Sequence, residues 1–99
     1  MVMRHRYLVC YDIADPKRLR RVFRKMHGFG DPVQYSVFRC DLNRAEKALM
    51  LDALRQLVNT AHDRVMIVRL GRADESDAGT IEFLGRPLLP WERPAAVIV

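Results

Sequence analysis

Residues 7–16, with the sequence YLVCYDIADP, constrain the fold of this chain more than any other segment. They begin with five consecutive apolar residues, a run typical of a central strand that is covered on both faces. Asp12 ends the run, and Asp15 and Pro16 follow at the spacing of an N-cap and a first helical residue. The segment therefore predicts a strand over about residues 5–13 that leads directly into a helix.

The predicted helix has one apolar stripe and one basic face. The stripe follows the i, i+3, i+4, i+7 spacing of a buried helix face and consists of Leu19, Val22, Phe23 and Met26. The other face carries six cations within nine residues and no acid: Lys17, Arg18, Arg20, Arg21, Arg24 and Lys25. Exposed helix faces usually mix signs, so this face is either a phosphate-binding surface or a solvated exterior. The formal net charge of +5 favours an anionic partner, most commonly nucleic acid.

The middle of the chain contains extended segments and a second helix. Residues 29–42 form either one long bent strand or two strands joined by a tight turn near Tyr35 and Ser36. No Asn-Gly or Asp-Gly pair decides between these alternatives. Asn43 and Glu46 have the spacing of a capping box and begin a helix. Its apolar stripe consists of Met50, Leu51, Leu54, Leu57 and Val58.

The last third of the chain predicts another buried strand over residues 64–71, then a polar loop over 72–79 and a short strand over 80–84. A proline-rich stretch around Trp91 follows, and the chain closes on the apolar residues 95–99. We expect these last residues to be buried, either on the edge of the same sheet or on a partner subunit.

The order of elements defines the expected fold class. Counted with a hairpin at residues 29–42, the order is βαββαβ, the ferredoxin-like α+β pattern of one antiparallel sheet with both helices on one face. We expect a single domain over residues 1–99, with residues 80–99 as a C-terminal extension. A chain of 99 residues has a high surface share and often completes its core by forming a homodimer.

Composition and motifs exclude several classes of function. No apolar run approaches the roughly 20 residues that span a membrane, and the N-terminus lacks the apolar core of a signal peptide. The sequence contains no glycine-rich phosphate loop, no HExxH and no CxxC. Cys10 and Cys40 therefore favour reduced core thiols in a cytoplasmic protein over a disulfide or a metal site.

Asp12 remains as the one candidate for chemistry, because α/β sheets commonly open onto a site at a strand's carboxyl end. Mg²⁺ and Mn²⁺ prefer carboxylate oxygen and are often held by only one or two protein carboxylates together with water and phosphate. A two-fold axis near Asp12 would supply two carboxylates, enough for a metal-dependent phosphodiesterase. Alternatively, Asp12 is a strand-end turn residue without a chemical role.

Two segments carry a family resemblance. The first is Tyr11-Asp12-Ile13-Ala14-Asp15 followed by the basic helix, and the second runs from Val33 to Phe38 with the sequence VQYSVF, followed by Asp41-Leu42. Their order and spacing over residues 5–71 closely resemble the small CRISPR-associated endoribonucleases of the Cas2 family. The sequence departs from that pattern at Pro32, where many relatives have a basic residue, and in the proline-rich stretch.

The resemblance implies a ferredoxin-like homodimer that works in CRISPR adaptation, the acquisition of spacers, with the adaptation integrase as a partner. It assigns Asp12, shared across the dimer, as the divalent-metal ligand and catalytic residue, with Mg²⁺ or Mn²⁺ as cofactor. It places Tyr11, Ser36 and Phe38 near the cleft and a C-terminal strand on the partner subunit. It also implies contact between the basic helix and RNA or double-stranded DNA.

Three functional alternatives stay open from the sequence. The chain is a metal-dependent endonuclease acting on RNA or DNA, or a catalytically silent DNA-binding adaptor for the integrase. A ferredoxin-like regulatory domain that binds a small ligand is the alternative outside the family, and the all-basic helix face argues against it.

Overall fold

The computed structural model describes residues 3–75 and 81–86, which contain four strands and two helices. The elements in chain order are β1 (His5–Asp12), α1 (Pro16–Met26), β2 (Asp31–Gln34), β3 (Val37–Leu42), α2 (Arg44–Leu57) and β4 (Arg64–Arg72). The strands form one sheet in the order β2-β3-β1-β4, with every neighbouring pair antiparallel. This is the ferredoxin-like α+β arrangement that the order of elements predicted.

Both helices begin where the sequence predicted. The Asp15 carboxylate accepts a hydrogen bond from the Arg18 amide at 2.9 Å, and Pro16 is the first residue of α1. At α2, the Asn43 side chain accepts from the Glu46 amide at 2.8 Å while the Glu46 carboxylate accepts from the Asn43 amide at 2.8 Å. These bonds satisfy amides that have no partner within the helix, and they stabilise each helix start.

The core lies between the sheet and the helices. Phe38, Met26 and Met50 are its largest fully buried side chains, one each from β3, α1 and α2. Alternate residues of β1 complete this layer, namely Tyr7, Val9 and Tyr11. Because both helices contribute to the same cluster, they cover the same face of the sheet.

Residues 29–42 form a hairpin, which settles the choice that the sequence left open. Gln34 pairs with Val37 across a tight turn at Tyr35 and Ser36. The Tyr11 amide donates to the Ser36 carbonyl at 3.0 Å, so the turn is fastened to the end of β1.

The opposite face of the sheet carries no helix among the described residues. The helices cover one face of β1, and the expectation that its second face is also covered stays a prediction. The expectation that β4 is a buried strand was wrong. β4 is an edge strand on which Met66 and Val68 remain 56% and 36% exposed. We call this surface the open face; its apolar members are Leu8, Cys10, Val37, Met66 and Val68, which pair side by side across the strands.

The C-terminal expectations are only partly covered by the described residues. The described residues 81–84 are bends and irregular chain and not part of the short strand expected over 80–84, and Gly85 follows at a φ of +90°. The proline-rich stretch around Trp91 and the apolar residues 95–99 lie outside the described residues.

Replacing Gly30 with alanine is expected to lower the free energy of unfolding by about 1–3 kcal/mol. A Cβ at this position would overlap the carbonyl of Arg39 and lie 2.7 Å from the Cys40 Sγ, where the chain crosses β3. Gly28→Ala is the control, because its nearest neighbour is the Lys25 carbonyl at 3.3 Å. Urea unfolding of both variants tests this, and equal losses at the two positions would contradict it.

Candidate active site

Asp12 is the last residue of β1 and lies opposite the first residue of β4, Arg64. The Arg64 Nη2 atom is 3.7 Å from the Asp12 Oδ2 atom, and the two side chains are 81% and 79% exposed. Side chains alternate along a strand, so Asp12 shares the open face with Leu8 and Cys10. Such an exposed pair contributes little to stability, and it leaves the carboxylate accessible to a cation.

The segment before Asp12 is held through Tyr11. Besides its amide bond to Ser36, Tyr11 donates its hydroxyl hydrogen to the Tyr35 carbonyl at 2.6 Å. Burial raises the pKa of the Tyr11 hydroxyl to about 12, so it remains a protonated donor at neutral pH. Of the residues predicted near the cleft, Ser36 lies in this turn, whereas Tyr11 and Phe38 belong to the core on the helix side of the sheet.

The segment after Asp12 is held by Asp63. Its carboxylate accepts from the Ala14 amide at 2.9 Å and from the Asn59 amide at 2.7 Å. Arg18 binds the same carboxylate with Nε at 2.8 Å and Nη2 at 2.9 Å. The Arg18 hydrogen bonds are the main cause of a pKa well below the usual range for Asp63, and the two backbone amides add to the effect against the cost of desolvation.

The basic face of α1 is consequently smaller than the sequence suggested. Arg18 is turned toward Asp63 and its side chain is only 24% exposed. The other five predicted nucleic-acid-binding residues are exposed: Lys17, Arg20, Arg21, Arg24 and Lys25. A shallow depression between α1 and α2 is lined by Arg21, Arg24 and Lys25 together with Gly28 and Leu57. Three cations around one depression form a surface that suits a phosphate backbone.

A divalent metal fits this site only through a small number of protein ligands. The described residues contain no group of three or more His, Cys, Asp or Glu side chains that would hold a metal ion. Asp12 therefore brings one accessible carboxylate per chain. One carboxylate per chain is compatible with Mg²⁺, because this cation keeps several water ligands and is usually bound by one or two carboxylates together with substrate phosphate.

The cysteines do not offer a nucleophile. Burial raises the pKa of the Cys40 thiol to about 12 and also raises the pKa of Cys10 above its ordinary value. Both thiols are free, and both are protonated at neutral pH.

Sequence reasoning missed Asp63 and Arg64 as site residues. Arg64 was foreseeable, because in a βαββαβ sheet the start of β4 lies beside the end of β1. Asp63 gave no local signal, since the Arg18 side chain that it binds lies 45 positions away in the chain.

The fold and the site together define a class: a ferredoxin-like α+β protein with a carboxylate at a strand end on an open sheet face and an exposed basic helix. The sequence model of the family described as CRISPR associated protein Cas2 matches residues 3–78. This chain belongs to the Cas2 family, as the resemblance of its segments around Asp12 and from Val33 to Phe38 implied.

Individual relatives support the same assignment. The chain is 43% identical over 94 residues to a protein of Rhodospirillum rubrum named CRISPR-associated endoribonuclease Cas2 1, covering 95% of this chain and 91% of that protein. It is 41% identical over 96 residues to CRISPR-associated endoribonuclease Cas2 of Geobacter sulfurreducens, covering 97% and 100%. The crystal structure of Streptococcus pyogenes Cas2 superposes with a TM-score of 0.72 and 32% identity, covering 81% of this chain and 99% of that one.

Neither α1 nor α2 has the length and apolar content that a membrane-crossing helix needs, and the described residues contain no other helix.

Proposed function

We propose that this chain is a metal-dependent endoribonuclease of a CRISPR system, active as a homodimer, with Asp12 as its metal ligand and catalytic residue. The observation that carries the proposal is the position of Asp12, exposed at the end of β1 on the open face. Its membership in a family whose relatives are named endoribonucleases supports RNA as the substrate.

The open face supports the dimer. Its apolar residues pair across β3, β1 and β4, on a surface that helices do not cover among the described residues. A second copy packed there by a two-fold axis would bury Met66 and Val68 from both chains. Since Asp12 lies on the same face, an axis near the strand end brings two carboxylates together.

Asp12 and Arg64 would have different roles in hydrolysis. The two Asp12 carboxylates would hold Mg²⁺ or Mn²⁺, with the remaining coordination positions left to water and a phosphate oxygen. When bound, the cation supplies stabilisation of negative charge on the phosphate and lowers the pKa of a water molecule. Arg64, beside Asp12, is placed to contact a phosphate oxygen of the same substrate.

The exposed basic face favours a second function, binding of duplex DNA in adaptation together with the integrase. Lysine and arginine contacts to phosphates carry no base information, which suits a protein that must bind many sequences. This function uses α1 and does not need Asp12, so the two functions are separable by mutation.

Asp12→Asn is expected to lower the Mg²⁺- or Mn²⁺-dependent cleavage of single-stranded RNA by at least about 100-fold, the effect of removing a group that stabilises transition-state charge. The exposed Asp52 of α2 provides the control Asp52→Asn, which should cleave like the wild type. Purified protein is assayed with each metal and with EDTA. Cleavage that survives Asp12→Asn would rule out this site.

Arg21→Glu combined with Arg24→Glu is expected to weaken duplex DNA binding and to reduce the slope of log K against log salt by about two, because each lost phosphate contact removes about 0.9. The exposed arginines of α2 give a control with the same charge change, Arg44→Glu with Arg55→Glu. Fluorescence anisotropy across a salt series measures both. Equal losses in the two double variants would mean that net charge, and not the α1 surface, governs binding.

Met66→Lys is expected to convert the proposed dimer to a monomer, because it places a charge among the apolar residues of the proposed interface. Leu49 of α2 is similarly exposed, 64% against 56% for Met66, but lies on a helix. Leu49→Lys should therefore leave the dimer intact. Light scattering after size exclusion gives the masses, and a dimeric Met66→Lys variant would argue against this interface.

A further inference from the structure

The Asp63 carboxylate is the most completely bonded side chain near the strand end. Its side chain is 0% exposed, and it accepts four hydrogen bonds, two from Arg18 and one each from the Ala14 and Asn59 amides. A carboxylate removed from water is stable only when its lone pairs are bonded and its charge is paired, and Asp63 meets both conditions.

These bonds connect the two chain segments that meet at Asp12. Ala14 lies two residues after Asp12, so its amide fixes the path of the chain as β1 ends. Asp63 itself directly precedes Arg64, the partner of Asp12 across the sheet. One carboxylate therefore sets the positions of both strand ends from which the Asp12 and Arg64 side chains project.

Asp12 depends on such support because its own side chain is 79% exposed and Arg64, its ion-pair neighbour, is equally exposed. The position of its carboxylate is set by the backbone on either side. Tyr11 fastens the preceding residue to the hairpin turn, and Asp63 fastens the following segment to the α2–β4 loop.

We propose that Asp63, with Arg18 as its partner, is a positioning residue that holds Asp12 in the geometry needed to bind a divalent cation. This inference rests on the proposed function of Asp12. It also removes Arg18 from the nucleic-acid-binding face and gives it a role in the metal site.

Asp63→Asn tests the inference, because asparagine keeps the size of the side chain but loses the charge and one accepting oxygen. In the metal-free protein, the Ala14 amide should exchange with solvent faster than in the wild type. Mn²⁺ binding without RNA should weaken by about 10- to 100-fold, the usual effect of losing a partner that orients a metal ligand. The KM for RNA should remain unchanged while cleavage needs more Mn²⁺.

Asp74→Asn is the matched control. Asp74 also accepts two hydrogen bonds from an arginine, Arg72, but at the end of β4 away from Asp12. Its removal should leave Mn²⁺ binding and metal dependence unchanged. Wild-type Mn²⁺ affinity in a folded Asp63→Asn variant would overturn the inference, as would equal weakening in both variants.

Two Arg18 variants cover the case in which Asp63→Asn does not fold. Arg18→Gln leaves the Asp63 carboxylate with its backbone donors and should weaken Mn²⁺ binding in the same direction, whereas Arg18→Lys should restore part of it by keeping the charge. If both Arg18 variants bind Mn²⁺ like the wild type, the inference is wrong.

Asp12→Asn separates this inference from the proposed function. If Asp12→Asn leaves Mn²⁺ binding unchanged, the metal site itself is elsewhere and the proposed function fails. If Asp12→Asn abolishes binding while Asp63→Asn does not, the metal site stands and only the positioning role fails.

Discussion

The pairing of β1 with a strand on each side is the constraint on which the rest of this structure depends. β1 bonds to β3 over residues 5–10 and to β4 over residues 5–12, so its position and register are fixed from both edges. Its alternate residues then have two different tasks. Tyr7, Val9 and Tyr11 build the core under the helices, whereas Leu8, Cys10 and Asp12 lie on the open face. A one-residue shift in register would exchange these two sets and place the Asp12 carboxylate among the helices.

Features specified by residues close in sequence were predictable, and those that depend on distant contacts were not. Asp15 and Asn43 each bond to an amide three residues ahead, so both helix starts could be predicted from the sequence. The turn at Tyr35 and Ser36 could not. It contains no glycine, and hydrogen bonds from Tyr11, 24 residues earlier, hold it in place.

The burial of β4 was misjudged for a different reason. The run from Val65 to Val68 is apolar on both sides of the strand, a pattern that a single chain shows when both faces of the sheet are covered. Here the helices cover Val65 and Ile67, while Met66 and Val68 are on the open face. A sheet face needs apolar residues whether a second copy or a helix covers it. The sequence alone therefore does not distinguish these two kinds of cover.

The candidate site shows the same division between local and distant information. Asp12 was predicted as a site residue because it ends an apolar strand, but its surroundings were not predicted. Arg18 fits the pattern of a basic helix face. Only the fold reveals that its side chain binds Asp63, which lies between α2 and β4. The spacing of residues along a helix predicts only which face of the helix a side chain lies on. That prediction does not distinguish an arginine that contacts phosphate from one in a buried ion pair.

One carboxylate per chain has a thermodynamic consequence for the proposed site. If two Asp12 side chains hold one cation, metal binding and dimerisation are linked, so each strengthens the other by the same factor. The basic depression between α1 and α2 lies within one chain and has no part in that linkage. A change in how the two open faces pack would therefore separate or join the Asp12 pair while the α1 surface of each copy stays intact. Under the proposed functions, nuclease and adaptor activities would therefore differ by the geometry of the dimer and not by the fold of the chain.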